Sequence, residues 1–179
     1  MRITDKYVFF WSGIYSQWYL INMTEPETGI TFNCSEQYMM CKKAMLFGDK
    51  AQAAKILAEP EPRKQKELGR GVKGFDGEIW DKKKYEIVCN ATMLKFTQNP
   101  KLLAELLLTG KRTLVEASPK DTIWGIGMGE NDRGVEDESN WKGENLLGYA
   151  CGSTRDFISQ LLLAPDNLFI ILNSNGNSI

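Results

Sequence analysis

Between Asn33 and Gly110 the chain carries helix-start and helix-stop residues at intervals that cut it into five helix-length pieces. No other feature constrains the fold as much. Asn33-Cys-Ser-Glu36 fits a capping box of the Asn-x-x-Glu kind; in such a box the first side chain takes an orphan backbone N–H and the glutamate reaches back. It predicts a helix from Ser35 to Phe47, with Tyr38, Cys41, Met45 and Leu46 on the buried side. Asp49 is placed to cap a second helix carrying Ala53, Ala54 and Leu57. Pro60 and Pro62 open a third, charged helix that ends near Gly69-Arg70-Gly71. Residues 78–98 form a long amphipathic stretch through Trp80, Ile87, Val88, Ala91, Met93, Leu94 and Phe96. Asn99-Pro100 then puts proline at the first position of a helix that runs to Thr109 and stops at Gly110.

Extended structure is expected mainly outside this block. The aromatic-rich residues 7–22 hold an extended segment with Gly13 and Ser16 in a turn, and residues 25–34 read as strand–turn–strand around Pro26 and Gly29. Arg112–Ser118 is a short strand, and the polar residues 130–144 form an exposed loop. Asn145 begins a last helix carrying Leu146, Leu147, Tyr149, Phe157, Ile158 and Leu161. The expectation is a mainly α domain with a few short strands over residues 1–165. A tail over 166–179, closing on Asn173-Ser-Asn-Gly-Asn-Ser-Ile179, is expected to be partly disordered. At 179 residues the chain is long enough to bury a core without staples.

The absence of histidine removes whole classes of chemistry. Ser-His-Asp and Cys-His catalysis and His-based metal sites are excluded, so proton transfer falls to Asp, Glu, Lys, Tyr or Cys. Cys34, Cys41, Cys89 and Cys151 form no CxxC pair, which argues against zinc and for small core residues. The N-terminus carries no signal-peptide pattern and no apolar run approaches a membrane span, so a reducing cytoplasm is expected. A net charge of −1 argues against broad binding to duplex nucleic acid, while leaving room for a local basic pocket.

Candidate chemistry concentrates in Asp121-Thr-Ile-Trp124-Gly125-Ile-Gly127 and Trp141-Lys-Gly143-Glu-Asn145-Leu-Leu-Gly148. Tryptophan beside glycine gives a flat wall next to a backbone that a planar ligand can approach closely. Each residue also has a plainer role open to it. Glu36 can be a helix-start residue and Asp121 a turn cap. Trp80 and Trp124 can be core, Lys43 a solvated helix residue, and Asn145 an N-cap. Arg70 and Arg155 are phosphate clamps or ion-pair partners. Glu116 either joins the site or is a strand residue paired with a lysine.

Taken in order, several motifs resemble the NADAR family, also described as YbiA-like. They are Phe10-Trp-Ser-Gly-Ile-Tyr-Ser-Gln-Trp-Tyr, Phe32-Asn-Cys-Ser-Glu36-Gln-Tyr-Met-Met, Lys43-Ala-Met-Leu-Phe47-Gly-Asp49, Leu68-Gly-Arg70 and Trp80. They continue with Lys95-Phe-Thr-Gln-Asn99, Leu114-Val-Glu116-Ala-Ser, the two segments above and Arg155. The resemblance spans roughly residues 7–163 and departs in the 130–140 loop and after residue 164. It implies a mostly helical single domain that cleaves an N-glycosidic bond at a ribose. The substrate is either ADP-ribose on guanine, free or in nucleic acid, or an early riboflavin-pathway intermediate that yields ribose 5-phosphate. Carried over residue by residue, it implies functional roles for Glu36, Trp80, Asp121 and Trp124. Such a bond leaves positive charge on the ribose as it breaks, and two carboxyls suffice to stabilise that charge and move the protons.

Glu36 and Asp121 are therefore the candidate catalytic pair. Trp80, Trp124, Lys43, Gly125 and Asn145 are the candidate substrate contacts, with Lys43 on phosphate and Asn145 on the ribose hydroxyls. No cofactor or metal is expected. Two rivals stand beside this reading: a non-catalytic ADP-ribose or nucleotide module, and a helical partner-binding domain whose tryptophans all lie in the core.

Overall fold

The computed structural model describes residues 1–163, so the tail expected over 166–179 lies outside the described residues. The order is β1 (Arg2–Ile3), β2 (Tyr7–Phe10), β3 (Met23–Thr24), β4 (Thr31–Phe32), α1 (Ser35–Leu46), α2 (Lys50–Ala58), α3 (Pro62–Arg70), α4 (Gly77–Thr97), α5 (Pro100–Leu108), β5 (Thr113–Glu116) and α6 (Leu146–Leu163). Short 3-10 turns stand at Gly13–Tyr15 and Glu138–Asn140. The punctuation read from sequence sets most of these limits. Asp49 caps α2 by accepting Gln52 N–H at 3.1 Å, and Pro62 and Pro100 open α3 and α5. Gly110, at φ 61°, ends the α5 turn in the left-handed region that favours glycine.

The first cap sits one residue later than the sequence suggests. Cys34, not Asn33, is the N-cap of α1, its Sγ accepting Gln37 N–H. The reason is local: the Asn33 amide donates to Pro60 O at 2.8 Å and accepts from Gln65 Nε2 at 3.0 Å, so it serves the α2–α3 connection. Gln37 returns the reciprocal bond, its Oε1 accepting Asn33 N–H at 2.8 Å. Glu36 is therefore relieved of the capping role that the four-residue spacing assigned to it.

Strand order in the larger sheet is β1-β2-β5, with β2 and β5 parallel in the register Tyr7↔Thr113 to Phe10↔Glu116. All four β2 side chains are buried, because both faces of the sheet are covered. Val8, Phe10 and Leu114 enter the main core with α1, α4 and α6. Tyr7, Phe9 and Val115 pack on the other face with Ala117, Ile126, Met128 and Val135. The loop expected to be exposed over 130–144 thus covers a second, smaller core, and Trp141 is tied to it by its indole N–H on Val135 O at 2.8 Å.

Helix α1 runs through the centre, packed by α2, α3 and α4. Ser35 through Cys41 are all buried, whereas Met45 and Leu46, expected inside, are exposed where the helix emerges. In α2 the core position falls to Ile56 rather than Leu57. In α6 the buried stripe is Leu147, Ala150, Cys151, Thr154, Arg155 and Ile158. Small and polar residues hold that stripe because α6 lies close against β5, which leaves Tyr149 and Phe157 exposed. Arg155 is neither clamp nor surface pair alone: it donates to Thr109 Oγ1 at 3.0 Å and Arg112 O at 2.6 Å, at the entry to β5.

The closeness of α6 to β5 is testable at Gly148. A Cβ there would collide with Leu114 O and the Asn145 side chain, both fixed groups. Gly148→Ala is expected to destabilise the fold by about 2–3 kcal/mol and lower the melting temperature by roughly 5–10 °C. A melting curve superimposable on that of the unmodified protein would contradict this packing. The four cysteines are free, and no helix among the described residues is long and apolar enough to cross a membrane.

Candidate active site

Parallel strands place the chain segments that follow them at the same edge of a sheet, where ligand sites commonly form. Here the segment after β2 brings Trp11, Ser16, Gln17 and Trp18 to the cleft, while the end of β5 and its following loop bring Glu116, Ser118, Lys120, Asp121 and Trp124. Glu36 comes from the first turn of α1, and Lys66 and Arg70 from α3. Together they line a cleft of about 400 Å³.

Glu36 is only 2 % exposed. Its backbone N–H donates to Gln17 O at 3.0 Å, and its Oε2 accepts the Trp18 indole N–H at 3.2 Å. Its Oε1 is buried without a protein partner. Burial pushes the carboxyl up to about 7, against the downward pull of Lys66, the Trp18 indole and Arg70, with Asp121 adding to the rise. The Trp18 loop is itself fixed from below. Lys95, fully buried, donates from Nζ to Ser16 O at 2.8 Å, and burial lowers its pKa to about 8.

Asp121 is held by an Asx turn, its Oδ1 accepting both Ile123 N–H at 3.0 Å and Trp124 N–H at 2.8 Å. The turn thereby orients the carboxylate and the Trp124 wall as one unit. Glu116, at the end of β5, is the third carboxyl. Burial pushes it up to about 8, with Asp121 and Glu36 adding to the rise and Lys66 opposing it. Its Oε2 is buried with no partner. Gln17 Oε1 is a further unpartnered buried acceptor in the same wall. Lys66, 6.0 Å from the Trp18 ring centre, together with Arg70 and Lys120 makes the cationic part of the lining.

Of the residues expected at the site, the structure brings Glu36, Asp121 and Trp124 into one cleft and leaves Lys43, Trp80, Gly125 and Asn145 outside its lining. Lys43 donates to Gly69 O at 2.9 Å, and its ammonium lies over the Phe75 and Trp80 rings. Lys43 therefore braces the last turn of α3, with Trp80 lying against its ammonium. Asn145 is fully buried, donating to Leu114 O at 3.0 Å and accepting Glu116 N–H at 2.9 Å. Its amide completes the edge of β5, so it is unavailable for ribose hydroxyls. A Cβ on Gly125 would stand 2.7 Å from Glu116 O, so glycine there permits a close backbone crossing. Arg70 and Glu116, each with two roles open from sequence, both line the cleft; Trp11, Trp18, Gln17, Lys66 and Lys120 were not singled out.

The cleft's contents can stabilise a cation, transfer protons without histidine and hold phosphate on a basic edge. Residues 9–159 match the model of the NADAR domain family. An N-glycosidase of Acanthamoeba polyphaga mimivirus is 46 % identical over 156 residues, covering 81 % of this chain and 92 % of that protein. A riboflavin biosynthesis protein of Vibrio vulnificus is 27 % identical over 176 residues, covering 97 % of this chain but 44 % of that protein. The NMR structure of the Escherichia coli protein YbiA superposes with a TM-score of 0.73 at 26 % identity, covering 90 % of each chain.

Proposed function

The chain belongs to the NADAR family, and on that premise we propose that it is an N-glycosidase that hydrolyses the bond between a phosphorylated ribose and a base. The observation that carries this is the meeting of Glu36, Glu116 and Asp121 in one cleft that also holds Lys66, Arg70 and Lys120. Cleavage builds an oxocarbenium-like ribose, which a carboxylate stabilises. Asp121, held by its turn, supplies that carboxylate. Glu36 divides between acid and carboxylate near pH 7, so it can take the proton of the attacking water. Trp124 and the indole of Trp18 flank the reacting groups, and the cations receive phosphate.

The substrate reading that fits the cleft best is ADP-ribose joined to guanine. Trp11 is 63 % exposed at the mouth and borders two adjoining surface hollows, which favours a ligand extending beyond one sugar. The name of the Vibrio relative favours a second reading, the aminopyrimidine ribose phosphate of early riboflavin synthesis. Chromatography of products from guanine-ADP-ribosylated single-stranded DNA and from that aminopyrimidine, incubated in parallel with the protein, separates the two. Released ADP-ribose is expected. Ribose 5-phosphate alone would favour the second reading, and turnover of neither would leave a binding module.

A further inference from the structure

Glu116 is half-buried, with its Oε2 shut off from solvent, and is the one carboxyl of the cleft's three glutamate and aspartate side chains without a task in the proposed reaction. Every fixture of its backbone serves to hold it still. Its N–H is on Asn145 Oδ1, its carbonyl accepts Ile126 N–H at 2.9 Å, and its Cα is in register with Phe10 in the parallel pair. Gly125 lets the returning chain cross against its carbonyl. Two of the residues singled out in the sequence, Asn145 and Gly125, thus act on Glu116 rather than on a ligand. The side chain, by contrast, makes no hydrogen bond with the described residues and lines the cleft. A rigidly mounted carboxyl with no internal partner is suited to a partner that arrives with the substrate.

We propose that Glu116 is a catalytic residue, the acid that gives its proton to the departing base; this rests on the N-glycosidase reading. The C1′–N bond breaks, its electron pair goes to the base, and the base takes the Glu116 proton. Water bonds to C1′ and yields a proton to the Glu36 carboxylate. Glu116 is left ionised and Glu36 protonated, and exchange with solvent restores both. The hydrogen-bonding contrast sets the division of labour. The Trp18 indole supports the ionised form of Glu36, whereas no donor among the described residues reaches the Glu116 carboxyl. The charged groups around Glu116 are Asp121, Glu36 and Lys66, with Arg70 and Lys120 completing the lining and the Cys151 thiol of α6 nearby. Its carboxyl is pushed up to about 8, so the acid form prevails at neutral pH and is lost as pH rises through that value.

The test compares the unmodified protein with Glu116→Gln, folding confirmed by circular dichroism. One substrate is the ribosyl compound that the protein turns over. The other is a pyridinium N-riboside 5-phosphate, whose base departs neutral and needs no proton. Expected is a loss of kcat of about 100-fold on the first, little change on the second, and disappearance of the fall in rate near pH 8. Equal losses on both substrates, or an alkaline fall that survives the substitution, would overturn the proposal. If the unmodified protein leaves the pyridinium compound intact, the alkaline limb decides alone: its loss in the variant supports the proposal and its survival overturns it. If the unmodified protein cleaves no ribosyl compound at all, the N-glycosidase reading itself fails and takes this one with it.

Discussion

Replacing Asp121 by asparagine is expected to lower kcat by about 1,000-fold while leaving the fold intact. Asparagine keeps an oxygen for the N–H groups of Ile123 and Trp124, so the Asx turn and the Trp124 wall survive. What disappears is the negative charge opposite the developing cation. Glu36→Gln is expected to cost about 100-fold, since glutamine cannot accept the water's proton. Steady-state kinetics on both variants, with melting curves to confirm folding, checks the assignment. Full turnover by both would end the case for these carboxyls as catalysts.

The same Glu36→Gln substitution is expected to make the protein more stable above neutral pH. Burial pushes the folded-state carboxyl from its ordinary 4.5 to about 7. Between those values the folded chain holds more protons than the unfolded one, so stability falls as pH rises through that window and the loss is complete above about pH 7. The difference corresponds to about 3 kcal/mol. Glutamine carries no charge and keeps an oxygen for the Trp18 indole, so the variant escapes the penalty. The two proteins are expected to melt alike at pH 4. At pH 8 the variant is expected to melt higher by roughly 10 °C. A gap of the same size at both pH values would mean that packing, not a buried charge, separates them. A slower protein more stable than its parent is the signature of a site held in tension for function.

Helix limits were legible because they are written locally. Asp49, Pro62, Pro100 and Gly110 each act within one turn of where they stand. The first cap was misplaced by a residue because Asn33 is claimed by a distant connection, through Pro60 and Gln65, and no local pattern reveals that competition. Glu36, Asp121 and Trp124 were found through ordered motifs. The rest of the cleft depends on β2 meeting β5 in parallel, which joins segments about a hundred residues apart. Lys66 gave no signal of its own on a charged helix. Glu116 did carry one. It shares a strand face with Leu114, so a charged residue falls in phase with a buried apolar one. Asn145 and Gly125 stand in the expected neighbourhood with their contacts on β5, since contact with a strand and contact with a ligand select the same residue types.

Addition of water across the bond between ribose C1′ and the base is tested most directly by running the reaction in ¹⁸O-water and weighing the products by mass spectrometry. One heavy oxygen is expected on the released sugar phosphate, at C1, with an unlabelled base. Label in a phosphate group would show that another bond is cut. Substrate bound but recovered whole would mean that the cleft holds its ligand without chemistry.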